Sequence, residues 1–102
     1  MNYGSLYTTR NVSTPSIASA ATAISANSNR ISWFIQNLGT NTLYVKLGDG
    51  ASTTVFHYAL KAGTGNDDGS GGSVGHTYGV VYQDIITIAG TSPRYVATEI
   101  AP

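Results

Sequence analysis

The chain contains no cysteine, only three prolines and few charged residues, and each shortage excludes a class of structure or site. Without cysteine it can form no disulfide, no thiolate metal site and no cysteine nucleophile. Charged residues make up 10% of the 102 residues, against about 25% in an ordinary soluble domain. Serine, threonine, asparagine and glutamine together number 33, so uncharged polar groups must form most of the surface.

The few charges have no preferred sign and no preferred place. The formal net charge is zero, and the five basic residues are scattered along the chain rather than clustered. A scattered set disfavours binding to a nucleic-acid backbone. Near-zero net charge removes repulsion between copies and favours association. We therefore expect a protein that works as an assembly and does not bind nucleic acid.

Long hydrophobic runs are also missing. No segment approaches the 18 consecutive apolar residues that mark a membrane-spanning helix. Residues 1–7 lack a basic region followed by an apolar core, which is the pattern of a secretory signal. The sequence predicts synthesis in the cytoplasm and no membrane partner.

Two alternating strands around a Leu-Gly-Thr-Asn turn, between Arg30 and Gly48, are the clearest structural signal that is present. Successive side chains of a strand point to opposite faces, so each strand has one apolar stripe. We predict that the two stripes meet in one core, which would contain Ile31, Trp33, Ile35, Leu43, Val45 and Leu47.

The reverse face of this predicted hairpin contains Phe34 and Tyr44. A hairpin would place them side by side as an apolar patch on a neutral surface. Such a pair is a subunit contact, a ligand-stacking platform, a harmless exposed pair, or part of a second buried face.

Further short strands are predicted on both sides of this motif, at residues 17–24, 53–62, 74–82, 85–89 and 95–100. The strand at 53–62 is predicted to be half-buried, because Phe56, Tyr58 and Leu60 alternate along it with Val55, His57, Ala59 and Lys61. The fold class is all-β: a single-domain β-sandwich or jelly-roll-like barrel of about seven to eight short antiparallel strands.

The domain is predicted to span residues 15–102, with a Gly-rich, solvated and mobile loop at 63–73. Residues 1–14 are predicted to form an extended N-terminal arm. This arm is either a frayed terminus or a segment laid on a neighbouring subunit, which would bury Tyr3, Leu6 and Tyr7. Deleting it is expected to weaken assembly and leave the fold intact.

No constellation of residues supports catalysis or metal binding. His57 and His76 are the only histidines, and a zinc site would need a third ligand among scattered acids at no recognisable spacing. Residues 66–71 are rich in oxygen ligands but lack the alternating pattern and distant carboxylate of a calcium loop. The glycine and serine residues form no nucleophile elbow and no phosphate-binding loop. We expect no enzyme activity, no metal and no cofactor.

The stretch Asn37-Leu38-Gly39-Thr40-Asn41-Thr42-Leu43-Tyr44-Val45-Lys46-Leu47-Gly48 resembles a hairpin of small virion proteins of tailed bacteriophages. A Leu60-Lys61-Ala62-Gly63 strand end, a glycine-rich turn and a final strand ending in Thr98-Glu99-Ile100 extend the resemblance over about residues 15–100. It implies a β-sandwich of the head decoration (cement) or fibre class, usually oligomeric and often trimeric. It implies no catalytic residues.

Two functions follow as expectations. The first is a virion structural protein that binds the major capsid protein and itself, as a homo-oligomer with a trimer favoured. Its assembly contacts would include Tyr3, Leu6, Tyr7, Phe34 and Tyr44. The alternative is a tail or head-fibre module that binds a receptor or glycan, in which exposed Tyr44, Tyr58 or Tyr82 stack on sugars.

Overall fold

The computed structural model describes residues 8–14, 19–76 and 79–102, and within them it contains eight strands and no helix. The strands are β1 (Thr8–Thr14), β2 (Ala20–Ile24), β3 (Ser32–Asn37), β4 (Leu43–Leu47), β5 (Tyr58–Leu60), β6 (Ser73–His76), β7 (Ile86–Ala89) and β8 (Tyr95–Ala101). Nothing in these ranges is a helix long and apolar enough to cross a membrane.

The strands form two four-stranded antiparallel sheets. Sheet A has the order β1-β8-β3-β6, and sheet B has the order β2-β7-β4-β5. The first strand pairs with the eighth, the second with the seventh, the third with the sixth and the fourth with the fifth. This order is that of a jelly roll, in which a long hairpin is rolled into two sheets. The predicted all-β sandwich class is confirmed.

The core lies between the two sheets and draws on both. Sheet A contributes Trp33, Ile35, Tyr95 and Ala97, and sheet B contributes Ala23, Ile24, Leu43, Val45, Leu60, Ile86 and Ile88. Four of the six predicted core residues, Trp33, Ile35, Leu43 and Val45, are at most 1% exposed. Leu47 is partly buried against the same cluster. Full burial of one such side chain contributes about 1.5–3 kcal/mol.

The prediction for Ile31 was wrong, because this side chain is 39% exposed. The strand alternation does not extend back to residue 31, since β3 begins at Ser32. Arg30 occupies the interior instead and is 1% exposed. Its Nε donates a hydrogen bond of 2.9 Å to Oε1 of Glu99. A buried charge needs a hydrogen-bonded partner of opposite charge, which Glu99 provides for Arg30. This burial of Arg30 interrupts the alternation of inward and outward side chains that the sequence predicted.

The guanidinium of Arg30 also fastens the loops at this end of the sandwich. Nη1 donates to the carbonyl oxygens of Tyr82 and Asp84, at 2.8 and 3.1 Å, and Nη2 donates to that of Ser25 at 2.7 Å. The β2–β3 and β6–β7 connections are therefore held to β8 through one side chain.

The predicted hairpin of β3 and β4 does not form, because these strands belong to different sheets. The chain crosses between the sheets directly after Asn37, which is 1% exposed. Its Nδ2 donates to the carbonyl oxygens of Asn41, Leu60 and Lys61, and its Oδ1 accepts from the Gly39 amide at 2.9 Å. These bonds stabilise a corner between the sheets where the sequence pattern suggested a hairpin turn.

The boundaries of several predicted strands also change. β2 confirms a strand within 17–24, of which residues 17 and 18 lie outside the described residues. The strand predicted at 53–62 is reduced to β5, because residues 52–55 form a hydrogen-bonded turn. Within the predicted strand at 74–82, residues 74–76 belong to β6, residues 77 and 78 lie outside the described residues, and residues 79–82 are not in a strand.

The predicted arm at 1–14 needs correction in its second half. Residues 8–14 form β1, which pairs with β8 at seven successive positions, from Thr8↔Ala101 to Thr14↔Tyr95. This segment is an edge strand of the sandwich. Residues 1–7, with the predicted contacts Tyr3, Leu6 and Tyr7, lie outside the described residues.

The Gly-rich loop at 63–73 is largely exposed, as predicted for a solvated loop, and its two aspartates form hydrogen bonds. Nε of Arg94 donates to Oδ1 of Asp67 at 2.8 Å, and the carboxylate of Asp68 accepts from Ser70 and Thr64. The Arg94 hydrogen bond lowers the pKa of Asp67, and the Ser70 hydroxyl lowers the pKa of Asp68. Asp68 therefore bonds within the loop, and Asp67 joins the loop to Arg94, directly before β8.

Candidate functional site: the two outer faces

The predicted contact residues Phe34 and Tyr44 lie in different sheets. Phe34 is on the outer face of sheet A and is 42% exposed, whereas Tyr44 is half-buried on the outer face of sheet B. The single patch predicted for them is replaced by two separate surfaces, one on each side of the sandwich.

The outer face of sheet B is covered in part by residues 48–57, which connect β4 to β5. Thr87, in the middle of β7, fastens this connection: its hydroxyl donates to the Gly48 carbonyl at 2.7 Å and accepts from the Ala51 amide at 3.1 Å. Ala51 is 7% exposed and Thr87 is 4% exposed. Because this connection lies over Thr87, β7 is buried on its outer face as well as on its core face.

The second half of the connection is held just as firmly. The Ser52 amide donates to the Val55 carbonyl at 2.9 Å, and the Ser52 hydroxyl accepts from the Val55 amide at 2.9 Å. The His57 amide donates to the Val45 carbonyl, and Nδ1 of His57 accepts from the Leu47 amide at 2.9 Å. The backbone on both sides of residue 56 is therefore fixed.

This fixed segment presents an apolar surface. The rings of Tyr44 and Phe56 are in contact, with centroids 4.7 Å apart and planes tilted by 51°. Val55 is 49% exposed and Phe56 is 39% exposed, and Ala59 lies opposite Tyr44 in the β4–β5 pairing. We call Tyr44, Val55, Phe56 and Ala59 the Phe56 surface. The strand alternation predicted an outward-facing Tyr44, whereas Phe56 was predicted only as part of a half-buried strand.

The outer face of sheet A is built differently, as two rows of side chains in register. Phe34 lies between Gly75 of β6 and Thr98 of β8, and Gln36 lies between Ser73 and Val96 on the same strands. A cavity of about 440 Å³ opens here. Its lining consists of Phe34, Ile35, Gln36, Ser73, Val74, Gly75, His76, Val96 and Thr98. We call it the Phe34 cavity.

Gly75 makes the position of the Phe34 ring possible. A Cβ atom at residue 75 would lie 2.3 Å from Cδ1 of Phe34 and 2.7 Å from the carbonyl oxygen of Trp33. Any other residue would push the ring or the edge strand away. The Phe34 ring therefore lies across the backbone of β6, and nothing in the spacing of the sequence revealed this use of the glycine.

The remaining candidate residues do not come together. His57 precedes β5 in sheet B and His76 ends β6 in sheet A, and no three His, Cys, Asp or Glu side chains of the described ranges cluster as metal ligands. Of the tyrosines considered for sugar stacking, Tyr44 and Tyr58 lie on β4 and β5 of sheet B. The Tyr82 hydroxyl donates to the Ile85 carbonyl at 3.0 Å, and burial raises its pKa.

Over the described residues the chain is therefore an eight-stranded β-sandwich, and each of its two outer faces carries an exposed aromatic surface. Comparison with known proteins finds no matching family, no matching curated protein and no matching solved structure. Its function is therefore inferred from the Phe56 surface, the Phe34 cavity and the resemblance in the sequence.

Proposed function

We propose that the chain is a structural protein of a tailed-bacteriophage virion that binds the capsid as a decoration (cement) protein and self-associates, with a trimer favoured. The observation that carries the proposal is the Phe56 surface. The side chains of Val55 and Phe56 are 49% and 39% exposed. Hydrogen bonds hold the backbone on both sides of them, so this exposure belongs to a fixed segment. Contiguous exposed apolar groups on a polar surface are typical of interaction sites.

A rigid apolar surface is suited to contact between subunits for two physical reasons. Side chains already ordered lose little conformational entropy when a partner covers them. The Tyr44 and Phe56 rings are in contact with each other before any partner arrives. Aromatic residues are also enriched in the buried centre of interfaces, where they contribute much of the binding energy.

The low charge supports the same function. Only 10% of the residues are charged and the net charge is zero, so few charges need to lose water when copies meet. Repulsion between copies is also small. A decoration protein adds many identical copies to a symmetric shell, and modest contacts repeated in this way give large avidity. The partners in this proposal are further copies of the chain and the major capsid protein.

The first test is the mass of the purified chain by light scattering. The wild type is expected to be an oligomer, and Phe56→Ser is expected to shift the mass towards the monomer. Phe34→Ser is the matched control, because it removes the same side chain at similar exposure on the opposite face. All three proteins should melt at similar temperatures, since neither ring belongs to the core.

The second test is binding to shells. The chain is co-expressed with the major capsid protein of the virus that encodes it, and particles are separated by sedimentation. We expect the wild type and Phe34→Ser to sediment with shells and Phe56→Ser to stay in the supernatant. A monomeric wild type that does not sediment with shells, or a Phe56→Ser variant that behaves as the wild type, would contradict the proposal.

A further inference from the structure

We propose that the Phe34 cavity binds an uncharged saccharide. This function goes beyond the proposed assembly role and does not depend on it, because the two surfaces lie on opposite sides of the sandwich. The site also differs from the tyrosines that the sequence suggested, since Phe34 is the aromatic residue among the described residues that line the cavity.

The Phe34 ring is exposed but held in one position. Phe34 is 42% exposed, yet the ring is seated across Gly75 in the middle of a paired strand. An exposed aromatic ring on a rigid element offers an apolar surface without loss of side-chain freedom. Sugar rings have an apolar face of C–H groups, and this face is complementary to an aromatic ring in shape and polarity.

The lining around the ring also contains polar groups. The Gln36 amide offers donors and an acceptor, the Ser73 hydroxyl offers both functions, and His76 adds an imidazole. A few polar groups around an apolar contact determine the orientation of a small ligand. Hydroxyl groups of a saccharide are able to bond with every one of these groups.

The charge of the lining and the size of the Phe34 cavity narrow the class of ligand further. Among the residues that the structure describes, the lining contains no carboxylate, ammonium or guanidinium group, so a phosphorylated or acidic ligand would find no permanent countercharge in it. The volume of about 440 Å³ lies in the lower part of the range for small-ligand sites, about 300–1,000 Å³. A purely apolar ligand would leave the groups of Gln36 and Ser73 without water or partners. These observations together favour a small neutral saccharide.

The experiment begins with an array of neutral glycans built from hexoses and N-acetylhexosamines. A glycan that binds is then titrated into the labelled chain, and amide shifts are followed by NMR. We expect the largest shifts at Phe34, Gln36 and Gly75. Phe34→Ser should weaken binding at least about tenfold, whereas Phe56→Ser should bind as the wild type does.

Two further variants separate stacking from simple hydrophobic contact. Phe34→Leu keeps an apolar side chain without an aromatic face, and it should also weaken binding at least about tenfold. Gln36→Met removes the amide at nearly constant size and should weaken binding about two- to tenfold. Circular dichroism and melting of each variant verify that the fold is retained.

Three results would overturn the inference. They are the absence of binding to every neutral glycan, binding that survives in both Phe34→Ser and Phe34→Leu, and equal loss in Phe56→Ser. A fourth contrary result is a lower mass of Phe34→Ser in light scattering, which would make this face a subunit contact. The assembly proposal fails separately, through the mass and shell binding of Phe56→Ser.

Discussion

The two outer faces of the sandwich present the only two phenylalanines of the chain in opposite ways. On sheet B, Phe56 belongs to a connection that lies over the sheet and contacts the Tyr44 ring. On sheet A, Phe34 belongs to a strand of the sheet itself and lies across Gly75. Their exposures, 39% and 42%, are nearly equal.

Exposure alone therefore does not distinguish the two sites, whereas the residues beneath each ring do. A second aromatic ring and an anchored loop support Phe56, which gives an additional apolar layer on the sheet. A glycine supports Phe34, which leaves a cavity bordered by polar side chains. The first arrangement favours a macromolecular partner, and the second favours a small ligand.

The largest expected effect comes from deleting residues 1–14, which removes an edge strand from sheet A and leaves sheet B complete. The deletion would break the seven-position pairing of β1 with β8. A typical domain has only about 5–15 kcal/mol of stability, so we expect loss of the cooperative melting transition. Circular dichroism during heating provides the measurement. A melting temperature equal to that of the wild type would contradict this account and support the sequence-based prediction that residues 1–14 form an arm outside the domain.

The next largest effect is expected for Thr87→Val, which acts on the face of sheet B alone. The substitution removes the hydroxyl that bonds to Gly48 and Ala51 and leaves these backbone groups without their partner. We expect a loss of about 2–3 kcal/mol in the free energy of unfolding, measured by urea denaturation, together with weaker self-association. Thr22→Val is the control, because Thr22 is exposed directly opposite Thr87 in the β2–β7 pairing. Equal effects of the two substitutions would contradict the anchoring role of Thr87.

Gly75→Ala is expected to act on the face of sheet A alone, with a somewhat smaller effect. The new methyl group would meet Phe34 and the Trp33 carbonyl at distances shorter than contact. Overpacking of this kind costs about 1–2 kcal/mol, and the displaced ring should abolish glycan binding while self-association persists. Ser73→Ala on the same strand is the control for stability. An unchanged NMR spectrum around Phe34 would show that the glycine does not position the ring.

The smallest effect is expected when the pH is lowered. Stability should fall slightly, and the functions of both faces should stay unchanged. The pKa values of Asp67 and Asp68 are lowered from the usual value of 3.8, so the unfolded chain binds protons first as the pH falls. Their contribution to stability is therefore present above pH 3.8 and is lost as the pH falls through the lowered values. We expect the melting temperature to fall slightly there, and less in Asp67→Asn. Asp49→Asn, which removes one carboxylate from another turn, is the control for the loss of charge itself.

The sequence predicted the class of fold and part of the core, because strand alternation records which side chains face inward. Trp33, Ile35, Leu43 and Val45 followed this rule. Alternation does not specify which strands pair, however, so β3 and β4 were assigned to one hairpin although they lie in different sheets. The buried amide of Asn37, which stabilises the corner, looks in the sequence like any turn asparagine.

The candidate sites were harder to predict, because they depend on contacts between distant segments. Phe56 lies two residues before β5, in a connection held by Ser52 and His57, although the alternation predicted that it belongs to the strand. Gly75 appeared as one glycine of a polar region. Its contact with Phe34 depends on the pairing of β6 with β3, which no local pattern reveals.

The most direct test of the difference between the two faces is the solution mass of three proteins measured side by side by light scattering. The wild type and Phe34→Ser are expected to have the same oligomeric mass, and Phe56→Ser is expected to approach the 10.6 kDa of a single chain. Equal masses for Phe34→Ser and Phe56→Ser, whether both oligomeric or both monomeric, would contradict the assignment of assembly to the Phe56 surface.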